Sequence, residues 1–74
     1  MPDIVVWVTK PSGKNIPDLE AVGQEVRSLD YVSEVEVEVA GSAFHVSFEG
    51  GRTEQEEIER TVQEAGYEIF KVSR

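Results

Sequence analysis

The stretch that decides the fold is residues 32–48, VSEVEVEVAGSAFHVSF. Its first half alternates strictly, with Val35, Val37 and Val39 on one face and Glu34, Glu36 and Glu38 on the other. A period of two with one charged face predicts a half-buried strand at a sheet edge. The small residues of AGSA then turn the chain. Beyond the turn the alternation resumes, with Phe44, Val46 and Phe48 inward and His45 and Ser47 outward. Together the two halves predict a β-hairpin.

The flanking segments extend this hairpin into a larger sheet. Residues 3–9, DIVVWVT, are apolar on both faces, which predicts a central strand. A helix is expected from about Asn15, with Asp18 completing a capping box and an apolar stripe formed by Leu19, Val22, Val26 and Leu29. TEQE, residues 53–56, predicts the cap of a second helix, and YEIFKVS supplies the last strand.

The order β-α-β-β-α-β predicts an α+β, ferredoxin-like fold, with a four-stranded antiparallel sheet and both helices on one face. The first and third strands are expected at the centre of the sheet. A length of 74 residues suits a single domain that spans residues 1–74.

The composition excludes several classes of function. Fifteen acidic residues against seven basic ones give a net charge of −8, and phosphate binding needs the opposite sign, so neither nucleic acid nor an anionic membrane is expected as a partner. A salt-adapted source is a second explanation of this charge. No apolar run is long enough to span a membrane, and no signal-peptide pattern opens the chain. We therefore expect a cytoplasmic protein or an excised domain.

Two motifs carry a family resemblance. LDYVSEVEVEV, residues 29–39, is similar to the pattern L-x-G-V-x-x-V-x-V, and IERTVQEAGYEI, residues 58–69, is similar to I-x-x-A-I-x-x-A-G-Y. Both patterns are typical of the heavy-metal-associated domain, the module of copper chaperones and of the N-terminal arms of metal-pumping ATPases. The resemblance covers nearly the whole chain and implies a ferredoxin-like fold. In that family an M-x-C-x-x-C motif in the loop entering the first helix binds the metal.

This chain lacks the family's metal motif. Superposing the patterns brings the two cysteines onto Asn15 and Asp18 and the methionine onto Gly13, and the chain contains no cysteine. Paired thiolates hold Cu(I) because soft sulfur suits a soft ion, whereas Asn and Asp offer hard oxygen atoms. We therefore expect a helix cap here, with no soft-metal site and no cofactor. A hard cation at these two residues would need several more oxygen ligands, and His45, the only histidine, makes a poor metal site alone.

A candidate interaction face lies on the side of the sheet away from the helices. If Ile4 and its alternate neighbours face the helices, then Val5, Trp7 and His45 lie on this open side. Exposed apolar patches often mark contact surfaces, and Trp is favoured in binding hot spots. Phe70 or Ile69 would join them, but the last strand is apolar on both faces and leaves that choice open. The alternative is that Trp7 belongs to the core.

We therefore expect a non-catalytic interaction module that binds a partner protein or a second copy of itself. An enzyme is not expected, because nothing here assembles an acid, a base and a nucleophile. Two alternatives remain. The domain could bind or transport a metal ion through oxygen and His ligands or through a partner's ligands, or it could be a stable scaffold with no native activity.

Overall fold

The computed structural model describes residues 3–9 and 18–73. Its elements follow the order β1 (Asp3–Thr9), α1 (Leu19–Arg27), β2 (Val32–Glu38), β3 (Ala43–Phe48), α2 (Arg52–Glu64) and β4 (Glu68–Ser73). The four strands form one sheet in the order β2-β3-β1-β4, and every neighbouring pair is antiparallel. The predicted ferredoxin-like βαββαβ fold is confirmed, with the first and third strands at the centre.

The core lies between the sheet and the two helices. Alternate residues of the two central strands are almost fully buried there: Ile4, Val6 and Val8 from β1, and Phe44, Val46 and Phe48 from β3. The helices add Val22 and Val26 from α1, and Ile58 and Val62 from α2. Because both helices bury their apolar stripes in this one cluster, they cover the same face of the sheet. Neither of them covers the opposite face.

Helix α1 begins later than the sequence predicted. Asp18 has an extended backbone (ψ 168°) and is itself the N-cap, since its Oδ1 accepts a hydrogen bond from the Ala21 N–H at 2.9 Å. The sequence had placed Asp18 inside the first turn of the helix, three residues after a cap at Asn15. That prediction is wrong for Asp18, which is itself the cap. A carboxylate at the N-cap satisfies an N–H that has no partner within the helix. Asn15 lies outside the described residues.

Gly23 brings α1 close to β2. A Cβ added at Gly23 would lie 2.5 Å from Cγ2 of Val37, which is too near for two carbon atoms. The absence of a side chain at this buried position is thus a packing requirement.

Helix α2 begins earlier than predicted. Its N-cap is Gly51, whose N–H donates to Oε1 of Glu54 at 2.7 Å. The expected capping box at residues 53–56 is therefore wrong in register, because Glu54, three residues after the glycine, supplies the carboxylate. The helix stops before Gly66, whose φ of +114° suits glycine. Neither α1 nor α2 is long and apolar enough to cross a membrane.

Candidate interaction face

The sheet face opposite the helices is called the open face here. It is formed by the outward residues of all four strands. From β2 to β4 these are Glu34, Glu36 and Glu38; Ala43, His45 and Ser47; Asp3, Val5, Trp7 and Thr9; and Glu68, Lys71 and Ser73. The face is therefore acidic at the β2 edge and apolar in the middle, and its β4 side carries one acidic residue, Glu68, and one basic residue, Lys71.

Val5 and Trp7 occupy the middle of the open face. Both are half-buried, while the alternate residues of β1 are buried on the helix side. Trp7 stands between Ala43 on β3 and Lys71 on β4 in the sheet register. The small Ala43 is only 1% exposed, and the Lys71 ammonium lies 5.3 Å from the centroid of the Trp7 ring. This cation–π contact helps to hold the indole on the sheet. Trp7 therefore lies on the open face and not in the core between the sheet and the helices.

A β-bulge decides which residue of β4 joins Trp7. Ile69 is opposite Val8 and so faces the helices, whereas Lys71 is opposite Trp7. Between them Phe70 is the extra residue of the bulge and is 73% exposed. Neither apolar candidate from the sequence therefore lies opposite Trp7. Phe70 instead lines a shallow groove with residues of the α2–β4 connection, including Gly66 and Tyr67.

His45 belongs to the acidic side of the open face. Its partner in the register is Glu36, but its Nε2 lies 3.3 Å from Oε2 of Glu38, the diagonal neighbour. Both side chains are about half exposed. Such an exposed pair contributes little to stability, because water screens it. Its effect is to hold the imidazole toward the carboxylates of β2.

The glutamates of β2 form an exposed row along the edge of the sheet. Glu34, Glu36 and Glu38 alternate with the half-buried Val35 and Val37. Alternate residues of a strand are roughly 6.5–7 Å apart, so the three carboxylates follow the strand at regular intervals. A second shallow groove runs along the other side of β2, between this strand and α1.

The residues at the family's metal position are only partly described. Asn15 and Gly13 lie outside the described residues, and Asp18 uses one carboxylate oxygen to cap α1. Across residues 3–9 and 18–73, no three His, Asp or Glu side chains are grouped so that they could hold a metal ion. Asp18 and His45 are thus not brought together with further ligands in this part of the chain.

Sequence reasoning missed one feature, the phenol of Tyr31. Its hydroxyl oxygen is shielded from solvent and has no hydrogen-bond partner of good geometry among the described residues. Burial raises the pKa of Tyr31 above its usual value of 10.0, and the nearby carboxylates of Glu57 and Glu54 raise it further. The signal was present in the sequence, since Tyr31 stands where the family pattern L-x-G-V has glycine.

Comparison with known proteins yields similarity of structure only. No protein-family model matches the chain, and no curated protein matches it. Eight solved chains do match. One is the yeast copper transporter domain Ccc2a, solved in the apo and Cu(I) states, with 14% identity, 96% of this chain and 97% of that chain covered, and a TM-score of 0.73.

Two further structures have the same fold. The copper-binding domain of HMA7, a P-type ATPase, is 20% identical over the full length of both chains, with a TM-score of 0.72. A chain of the Atx1–Cu(I)–Ccc2a complex is 14% identical, with 93% of this chain and 94% of that chain covered and a TM-score of 0.66. At these identities the likeness establishes the fold. The present chain shares the architecture of these copper-binding domains, and its sequence contains no cysteine.

Proposed function

We propose that this chain is a non-catalytic protein-binding module whose open face contacts a partner protein with a basic surface. The observation that carries the proposal is the position of Trp7. The helices cover one side of the sheet, and the other side presents this indole and Val5 beside a row of exposed carboxylates. An aromatic anchor next to complementary charge is the usual composition of a binding hot spot and its surroundings.

Charge complementarity favours a basic partner over a second copy of the chain. Each copy carries a net charge of −8. Among the described residues of the open face, Lys71 is the only lysine or arginine, and it already lies over Trp7. Two such faces would bring their glutamate rows into one interface, where like charges disfavour association. A partner rich in Lys and Arg would be attracted instead.

The comparison with the Atx1–Cu(I)–Ccc2a complex supports a binding role, because a domain of this fold takes part in a protein–protein complex there. The neighbouring structures are described as copper-binding or copper-transporter domains, which supports a binding role for this fold. The chain's single histidine and lack of cysteine give little material for nucleophilic catalysis.

The test compares Trp7→Ala with Phe70→Ala. Both remove an aromatic side chain, but Phe70 lies at the β4 bulge and has no place in the proposed contact. The immobilised domain is used to capture partners, a captured basic protein is purified, and its affinity for each variant is measured by calorimetry. Trp7→Ala should weaken binding by about thirtyfold or more, since hot-spot truncations cost at least about 2 kcal/mol. Phe70→Ala should leave it unchanged.

The same experiment can contradict the proposal. If the captured protein binds the Trp7→Ala and Phe70→Ala variants with equal affinity, then the open face is not part of the binding interface. Amide NMR spectra of both variants must retain the dispersion of the folded domain, so that a loss of binding is not a loss of fold. If no protein binds and the domain does not self-associate by sedimentation, the scaffold alternative replaces the binding module.

Metal binding is the second candidate, favoured by the likeness to copper-binding domains. Without thiolates the ligands would be oxygen atoms and His45, or would come from a partner. Amide NMR spectra recorded during titration with Cu(I), Zn(II), Ca(II) and Mg(II) test this candidate. Saturable shifts confined to residues 13–19 or centred on His45, lost in Asp18→Ala or His45→Ala, would establish it. Diffuse shifts across the glutamates at high ion concentration would count against it.

A further inference from the structure

We infer that β2 is a docking edge for an extended basic segment of the partner, which pairs with it as a fifth strand. The inference rests on the proposed binding role and specifies the partner's chemistry and conformation. Among the described residues β2 has a neighbour on one side only, since the sheet begins with it. An edge strand presents unpaired N–H and C=O groups, and strand addition uses them for affinity while side-chain positions give specificity.

The hydrogen-bond pattern identifies the free groups. The Val8 N–H donates to the Ser42 carbonyl at 2.9 Å, so these two residues pair across β1 and β3. Pairing alternates along an antiparallel ladder. Ala43 and His45 therefore direct their backbone groups toward their β2 partners, Glu38 and Glu36. The backbone groups of the intervening Val37, and by the same alternation those of Val35, point away from the sheet.

Side chains on the two faces of β2 select the occupant. A strand that bonds to Val35 and Val37 places its other residues opposite the glutamates, at the non-hydrogen-bonded positions where side chains approach most closely. Lysine or arginine fits there, because opposite charges directly across a ladder stabilise the pair. On the helix side, an apolar residue would cover the half-exposed valines beside Gly23. The structure thus points to a segment that alternates basic with apolar residues.

The same charges disfavour a second copy of β2 as the occupant. Antiparallel pairing of two β2 strands would set glutamate against glutamate, and like charges directly opposite destabilise a ladder. The other edge is less suited, because the bulge at Phe70 divides β4 into two short pieces. In β2 the irregularity lies near the start, between Val32 and Glu34, and leaves residues 34–38 regular.

The experiment is an amide NMR titration of the full chain with a synthetic peptide in which lysine alternates with valine. We expect saturable shifts along residues 34–38 and slower hydrogen exchange of the Val35 and Val37 amides. Glu36→Gln should weaken binding by about two- to fivefold, the value of one cross-strand pair. Glu64→Gln is the matched control, since Glu64 is exposed at the end of α2, and it should have no effect.

Two control peptides separate strand pairing from simple charge attraction. One keeps the sequence but is N-methylated at the valines, which blocks the backbone bonds, and the other has glutamate in place of lysine. Neither should bind. If the N-methylated peptide binds as well as the parent, or if shifts spread over all acidic surfaces, then the glutamate row only protects the edge and the inference is overturned.

The outcome is distinguishable from failure of the proposed function. A captured protein whose binding depends on Trp7, combined with no peptide binding at β2, would contradict strand addition alone. If the captured protein binds Trp7→Ala as well as the parent, and the peptide still binds at β2, then the open-face proposal is contradicted and the edge site is retained.

Discussion

Replacement of Gly23 by alanine tests how closely α1 lies on β2. In an unobstructed helix this exchange stabilises by about 1 kcal/mol, because alanine has the better helix propensity. Here the new Cβ would lie 2.5 Å from Cγ2 of Val37, and in ordinary contact with Val35 at 3.6 Å and Phe44 at 3.8 Å. The valine methyl group belongs to a β-branched side chain with one strongly restricted torsion, so it cannot turn aside freely.

The expected magnitude is a difference between two opposing effects. Overpacking a well-filled site costs about 1–3 kcal/mol, and the gain in propensity offsets about 1 kcal/mol of it. Gly23→Ala should therefore lower the free energy of unfolding by about 1 kcal/mol, within a range of about 0–2 kcal/mol. In a domain of this size a loss of 1 kcal/mol corresponds to a fall in Tm of about 4–8 °C.

The assay is urea unfolding of four proteins: the parent, Gly23→Ala, Val37→Ala and the double variant. Val37→Ala removes the obstructing methyl group, so in that background the alanine at position 23 should stabilise by about 0.5–1 kcal/mol. This reversal of sign is the decisive result, since residues in contact show such coupling. If Gly23→Ala stabilises both backgrounds equally, then α1 does not lie as close to β2 as described.

The remaining predictions concern a cap and a phenol. Asp18→Ala should lower the free energy of unfolding by about 1 kcal/mol, because the Ala21 N–H loses its acceptor. Asp18→Asn keeps an acceptor and should retain most of the stability. Equal losses for the two variants in urea unfolding would contradict the capping role. The pKa of Tyr31 is raised in the folded state. The contribution of this phenol to the free energy of unfolding is therefore fully present below its unfolded pKa of about 10, and it is lost as the pH rises further. Tyr31→Phe should flatten this decline in stability above about pH 10, and an unchanged slope would contradict it.

The sheet could be predicted because apolar and polar residues alternate along the β2–β3 hairpin with the period of two that is typical of strands. The alternation of valine and glutamate in β2 has only one arrangement that keeps the charges out of the core, so both its edge position and its faces followed. The same reasoning placed His45 on the open face, whereas the position of Trp7 was left open, because residues 3–9 are apolar on both faces. It failed for β4, where the bulge at Phe70 shifts the alternation by one residue. A strand that is apolar on both faces carries no signal of such a shift.

The helix starts could not be located because several residues can cap. Asn15 and Asp18 are equally suitable by type, and Asp18 is identified as the N-cap by its extended backbone and by its hydrogen bond from the Ala21 N–H. For α2, the carboxylate of Glu54 bonds the backbone of Gly51, which makes a glycine the N-cap instead of Thr53. Propensity therefore offers several candidates for each N-cap, and the cap hydrogen bonds seen in the structure identify the one that is used.

The candidate site was only partly predictable. The lack of a thiolate pair follows from the sequence alone, since no cysteine occurs in it. The contact of Lys71 with Trp7 depends on the bulge and could not be foreseen. The shielded phenol of Tyr31 arises from the packing of the chain against the acidic residues of α2, which no periodic pattern encodes.

The pairing of β1 with β4 also has a mechanical consequence. The start of β1 and the end of β4 lie next to each other at the same end of the sheet, because Val5 is opposite Ser73 in an antiparallel ladder. The hydrogen bonds of such a ladder lie perpendicular to the strands. A pull on the two ends of the domain therefore loads these bonds one after another, as in opening a zipper, and never all at once in shear. The domain should thus yield to low force along this direction, and a tether attached there would peel β4 away before the β2–β3 hairpin is disturbed.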